Sequence, residues 1–178
     1  PADQSVLLAS LYLFDEVHGT RISEEPIRGW TRMMRSKRMV DLETKLPQSS
    51  LDERFGYAKI PRGCALSWTV LYMAQFDPEG ARALYSNYRD AMSMGVLGWG
   101  GFRGWPSSED RGLDVDSGPI VFGVGMAATG LGLGPARMMR DGTQYTRIVR
   151  SASTFGLPTR LLPARRYLSS PLLGEAML

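Results

Sequence analysis

Apolar residues in this chain gather into four segments nearly free of charge. Each begins at or beside a proline: Pro1 in PADQSVLLASLYLF, Pro61 in IPRGCALSWTVLYMA, Pro119 in DSGPIVFGVGMAATGLGLG and Pro171 in SSPLLGEAML. Proline suits the first turn of a helix, where its missing N–H has no intrahelical partner to lose, and Ser170 before Pro171 is a ready N-cap. Between these segments lie stretches 23–39, 77–92 and 141–155, in which charged and apolar residues alternate at helical spacing. Asp77, Pro78 and Glu79 supply a cap, a first-turn proline and a first-turn acid, after which Ala81, Leu84, Tyr85 and Tyr88 fall on one face. The pattern predicts apolar helices near 3–17, 62–76 and 118–139 and from 171, with amphipathic helices near 24–40, 78–93 and 142–155. Strand-like alternation is weak, and only GYAKIP and PTRLLPARRYL are expected to hold short extended pieces near a pocket rim.

A repeat of about 55 residues, each pairing a wholly apolar helix with an amphipathic one, is what two concentric layers of helical hairpins require. The inner helices are covered on all sides and the outer ones face water. The expected fold class is all-α: an incomplete (α/α) toroid of three hairpins plus the start of a fourth, forming a single domain over 1–178. A closed ring needs more hairpins, so the chain reads as the C-terminal part of a larger protein, or as part of a ring that a missing segment or a partner chain completes.

Composition narrows the function classes. The chain has 21 Lys plus Arg against 18 Asp plus Glu, a net charge of +3, with the cations scattered, so nothing points to nucleic acid. The single cysteine, Cys64, excludes an intrachain disulfide and a cysteine metal cluster, and it reads as a small buried residue rather than a nucleophile. The start carries no recognisable signal peptide, and the compartment stays open.

The glycine-rich stretch from Gly112 to Met139 can be read in three ways. As a membrane span, residues 117–136 are long enough and hold a Gly130/Gly134 pair at helix-packing spacing, yet they are rich in glycine and open beside Asp114 and Asp116. As a dinucleotide turn, Gly123, Gly125 and Ala128 fit the spacing, with Asp141 downstream, but alternating strands are lacking. The third reading is an inner helix with small packing residues and with Asp114, Asp116 and Ser117 at its mouth, where Asp116 or Ser117 also suits a simple helix cap. The preceding stretch carries Trp99, Phe102, Arg103, Trp105, Glu109 and Asp110, the materials of a pocket for a polar organic ligand.

The blocks PADQSVLLASL, PRGCALSWTVLYMAQFDPEGARALY, GFRGWP, DVDSGPIVFGVGMAATG and SSPLLGEAML resemble uncharacterised bacterial proteins related to the linalool dehydratase/isomerase-like domain, within the wider class of (α/α)6 toroids. The resemblance implies the toroid fold and a central pocket for a small hydroxylated substrate, either a terpenoid alcohol or a sugar. It implies chemistry of the lyase, isomerase or hydrolase kind. The terpenoid enzyme relies on cysteines, a histidine, an aspartate and tyrosines. Here there is one cysteine, and the one histidine, His18, lies at the far end of the first apolar helix. In the sugar-active toroids a carboxylic acid and a carboxylate flank the scissile bond. Asp3, Asp114 and Asp116, at or before inner-helix starts, are the candidate catalytic set, while Arg62, Cys64, Trp99, Phe102, Arg103 and Trp105 are the candidate substrate-binding residues. No metal and no cofactor is expected. The second function class is a non-catalytic auxiliary or scaffolding subunit of a larger assembly, at a membrane or elsewhere, in which a partner covers the open ring.

Overall fold

The computed structural model describes residues 1–51, 58–106, 120–121, 123–156, 158–161 and 164–167. Among them the chain is mostly helical. Helix α1 (Ala2–His18) and α2 (Glu24–Met34) come first, then a short antiparallel pair, β1 (Ser50–Leu51) with β2 (Ala58–Lys59). Next come α3 (Gly63–Phe76) and α4 (Pro78–Met92), and then a hairpin of β3 (Ser93–Val96) and β4 (Trp99–Phe102). A smaller hairpin of β5 (Ile120–Val121) and β6 (Val124–Gly125) precedes α5 (Met126–Met138) and α6 (Gly142–Phe155). Strands β7 (Pro158–Leu161) and β8 (Ala164–Tyr167) pair antiparallel after them.

The helix pattern follows the hydrophobic pattern. α3 packs along α1, along α5 and against α4, and α5 packs against α6. α3 and α5 run parallel: Gly63 lies against Ala128 near their starts and Leu71 against Gly134 further along. α3 buries Leu66, Ser67, Thr69, Val70 and Met73, whereas α4 buries only the stripe Ala81, Tyr85, Tyr88 and Met92. Asp77 caps α4 by accepting from the Gly80 amide at 2.9 Å, and Pro78 occupies the first turn.

Two clusters make up the core. One joins Leu66 and Val70 of α3 to Tyr88 and Met92 of α4, Phe102 of β4, Ala128 of α5 and Ile148 of α6. The other joins Leu8 of α1, Trp30 and Met34 of α2, Met73 of α3 and Ala81 of α4, with Met39 beyond α2.

The glycines of α5 serve packing within the chain. The Phe102 ring lies 2.4 Å from where a Gly132 Cβ would sit, and Leu71 of α3 lies 3.3 Å from a Cβ at Gly134. No helix among the described residues is long and apolar enough to cross a membrane.

Three boundaries depart from the pattern. The third apolar helix begins at Met126 rather than near 118, because Ile120–Gly125 turns back on itself as a hairpin at Gly123, whose φ of 81° suits glycine. α2 stops at Met34 rather than near 40: the chain tightens into turns and Val40 bridges Pro47, with Asp41 accepting from the Thr44 amide and hydroxyl. Part of the stretch read as a pocket loop is the β3–β4 hairpin, which turns at Leu97 and Gly98 with φ of 51° and 88°. GYAKIP and PTRLLPARRYL do hold extended pieces, in β2 and in β7 and β8. The predicted helix from 171 lies outside the described residues.

Candidate functional site

The N-terminal ends of α3 and α5 meet the backbone that follows β4, and glycines make the meeting possible. The Gly63 amide donates to the Gly104 carbonyl at 3.0 Å. A Cβ on Gly63 would lie 2.1 Å from the Arg103 carbonyl oxygen, and one on Gly125 would lie 3.0 Å from Gly104 Cα. The junction sets Arg62, Cys64, Arg103 and Trp105 near the N-terminal ends of α3 and α5, the positive ends of the helix dipoles.

Arg62, in extended conformation just before α3, places its guanidinium carbon 5.2 Å from the centroid of the Trp105 ring. Arg103 bridges Val124 of β6, and its guanidinium lies 3.2 Å from where a Gly123 Cβ would stand. Arg62, Cys64, Arg103 and Trp105 are each partly exposed. Two arginines and a tryptophan thus stand beside two helix N-termini, with Arg62 over the Trp105 ring.

Beneath the rim lies a buried polar pair. Ser67, on the turn of α3 after Cys64, sits 2.9 Å hydroxyl to hydroxyl from Tyr88 of α4, and Ser67 is also 3.5 Å from the Ala128 carbonyl. Burial pushes the Tyr88 phenol well above its usual range, against the opposing hydrogen bond from Ser67, so it stays a neutral hydroxyl. The Tyr88 ring stacks on Phe102 with centroids 4.3 Å apart and planes at 14°.

The other expected site residues fall in different places. Phe102 is fully buried, with Tyr88 on one side and Gly132 against its ring, so packing occupies it. Trp99 lies at the opposite end of β4 from Arg103, where its indole N–H donates to Thr154 Oγ1 at 3.0 Å near the end of α6. Asp3 is exposed on the first turn of α1. Asp114 and Asp116 lie outside the described residues, in the stretch that joins Pro106 to Ile120. Among the described residues no group of His, Cys, Asp and Glu is arranged to hold a metal ion.

Polar side chains of α5 and α6 grip the β4 backbone. Thr129 accepts from the Phe102 amide at 3.0 Å, Gln144 donates to the Gly101 carbonyl at 3.0 Å, and Ser151 both accepts from the Gly100 amide and donates to its carbonyl. Sequence reasoning missed these anchors, as well as Ser67, Tyr88 and the three junction glycines. A serine inside an otherwise apolar helix, facing a tyrosine where phenylalanine would pack as well, was the available signal for the buried pair.

No family model matches the chain, and comparison with curated proteins finds no relative.

Proposed function

We propose that the chain is part of an (α/α) toroid of the linalool dehydratase/isomerase-like kind, and that its central mouth takes a small hydroxylated or acidic organic ligand. The observation that carries the reading is the parallel packing of two apolar helices, α3 and α5, each backed by an amphipathic helix, with Arg62 set on Trp105 at their shared N-terminal end. In this reading Trp105 supplies the stacking face, while Arg62 and Arg103 orient ligand oxygens. Asp116, Asp114 and Asp3 supply the acid and base of a lyase, isomerase or hydrolase step. Cys64 lines the rim. Trp99 and Phe102 support the site from the hairpin behind it.

A thermal-shift screen of terpenoid alcohols, neutral sugars and sugar acids tests this. A ligand that stabilises the wild type should lose its effect in Trp105→Ala, because the stacking face is gone. Asp116→Asn should retain the fold while turnover falls about a hundredfold, the scale of losing a positioned proton-transfer group. A ligand that stabilises wild type, Trp105→Ala and Asp116→Asn equally binds elsewhere and removes the mouth from consideration.

One observation favours the second reading, a non-catalytic subunit. α1 is an apolar helix with a bare face: Leu7, Leu13, Phe14 and Val17 are 61%, 51%, 46% and 78% exposed. In a ring this face is covered by the next inner helix, supplied by another segment or by a partner chain. A Val17→Lys variant that turns an oligomer into a monomer without changing ligand response supports the subunit role; a monomeric wild type argues against it.

A further inference from the structure

A second cationic feature lies at the other end of the inner layer. An open groove of about 440 Å³ runs between α4 and the turn joining α5 to α6, a volume within the range of small-ligand sites. Arg82, Ser86 and Arg89 of α4 line it, and their spacing places them on one helix face. Arg140 and Thr143 form the opposite wall.

The turn itself is unusual in composition. The Asp141 amide donates to the Ala136 carbonyl at 2.9 Å and the Arg140 amide to the Arg137 carbonyl at 3.1 Å. This double bond pattern closes a helix around one left-handed residue, normally glycine or asparagine. Here that residue is Arg140, with φ of 59°. A side chain that the backbone does not favour is thus held at the groove.

Charge in the groove is unbalanced. Both oxygens of the Asp141 carboxylate are engaged, one accepting from the Gln144 amide at 3.0 Å and the other from the Tyr85 hydroxyl at 3.1 Å. Burial, then the charge and hydrogen bond of Asp141, push the Tyr85 phenol up and keep it the donor. Arg89 lies 3.8 Å from Asp141 and 3.2 Å from Asp90. Among the described residues Arg82 and Arg140 meet no carboxylate. Arg82 and Arg140 thus line the groove without a carboxylate partner among the described residues, together with Ser86 and Thr143 and beside the Asp141-capped start of α6.

We infer that this groove binds a phosphate monoester group. Two forked donors suit the several oxygens of one tetrahedral dianion better than the two of a carboxylate, and the hydroxyls add neutral donors. The site is separate from the mouth, at the opposite end of α5, so it does not rest on the ligand proposed there.

The test is a calorimetric titration of the wild-type chain with inorganic phosphate and with glycerol 3-phosphate, beside co-sedimentation with phosphatidic acid vesicles. Saturable binding of the soluble probes assigns a free phosphorylated metabolite class; binding to the vesicles alone assigns a lipid headgroup, and either result supports the proposal. Arg82→Gln should weaken binding about tenfold. Arg140→Gly should weaken it as much while the thermal midpoint stays level or rises, because glycine relieves the left-handed backbone. Arg28→Gln, at an exposed position of α2, should change nothing. The proposal fails if none of the three probes saturates, if acetate binds as tightly as phosphate, or if Arg28→Gln weakens binding as much as the groove variants do.

Discussion

Replacing Gly63 by alanine adds one methyl group at the point where the candidate site is assembled. The new Cβ would lie 2.1 Å from the Arg103 carbonyl oxygen and 2.8 Å from the Ala128 Cβ. Neither neighbour is the tip of a flexible side chain, so the backbone itself must move by on the order of 1 Å to restore ordinary contact. Movement of that size breaks the 3.0 Å hydrogen bond from the Gly63 amide to the Gly104 carbonyl, at a cost of about 0.5 to 1.5 kcal/mol. Overpacking of a well-filled junction costs a further amount of about 1 to 3 kcal/mol. Against these stands the lower unfolded-state entropy of alanine, which favours the variant by about 0.4 to 1 kcal/mol. The net expectation is a loss of about 0.5 to 4 kcal/mol.

Urea unfolding of wild type and Gly63→Ala, followed by far-UV circular dichroism, reads that loss as a lowered midpoint at unchanged slope. The emission of Trp105 should shift as well, because the same movement carries the backbone that follows β4. A Gly63→Ala chain as stable as wild type, or more stable, would refute the close approach of α3 to Gly104 and with it the meeting of Arg62 and Trp105 at the start of α3.

Three further outcomes follow from the core and the caps. Phe102→Ala should cost about 3 to 5 kcal/mol in urea unfolding, as for other fully buried aromatics, whereas a pocket-lining role alone predicts little change. Ser67→Ala should cost about 1 to 3 kcal/mol by stranding the buried Tyr88 hydroxyl, and Tyr88→Phe should cost less because Ser67 can still donate to the Ala128 carbonyl; the double variant should fall well short of the sum. Asp15 supplies a pH dependence: burial raises its pKa, but hydrogen bonds from Ser23, Thr20 and Ile22 outweigh this and hold the carboxyl at about 2, below its ordinary 3.8. A depressed native pKa means the contribution is complete above the unfolded value and disappears as pH falls toward 2, so thermal midpoints of wild type and Asp15→Asn should converge in acid and separate near neutrality.

How much of this was legible in the sequence depends on whether the physics is local. Helices α1, α3, α4 and α6 declare themselves because their caps and periodicity lie within one turn of each other: Asp77 and Pro78 for α4, Asp141 for α6, and an apolar run for α1 and α3. The start of α5 does not. Residues 118–125 are uncharged and rich in glycine and apolar residues, which suits a helix and a hairpin equally, and the hairpin is tied down by Arg103 pairing with Val124, 21 residues on. The β3–β4 hairpin was hidden for a related reason. Its Leu97–Gly98 turn lacks the Asn-Gly or Asp-Gly pair that marks such turns, and β4 has no alternation to show.

The candidate site divides along the same line. Arg62, Cys64, Arg103 and Trp105 were found by residue type near predicted helix starts, and the fold brings them together because α3 and α5 run parallel. Trp99 and Phe102 carried the same chemical signal yet are held by Thr154 and by Tyr88, since an aromatic residue looks alike in sequence whether it will stack on a ligand or on the core. The groove at Arg82 and Arg140 gave no sequence signal at all. Those arginines lie on separate helical units, and Arg140 lines the groove from the left-handed position that closes α5. Arg140→Gly is therefore the sharper probe of the two ends: on the two proposals above, it should spare ligand binding beside Trp105 while removing phosphate binding in the groove.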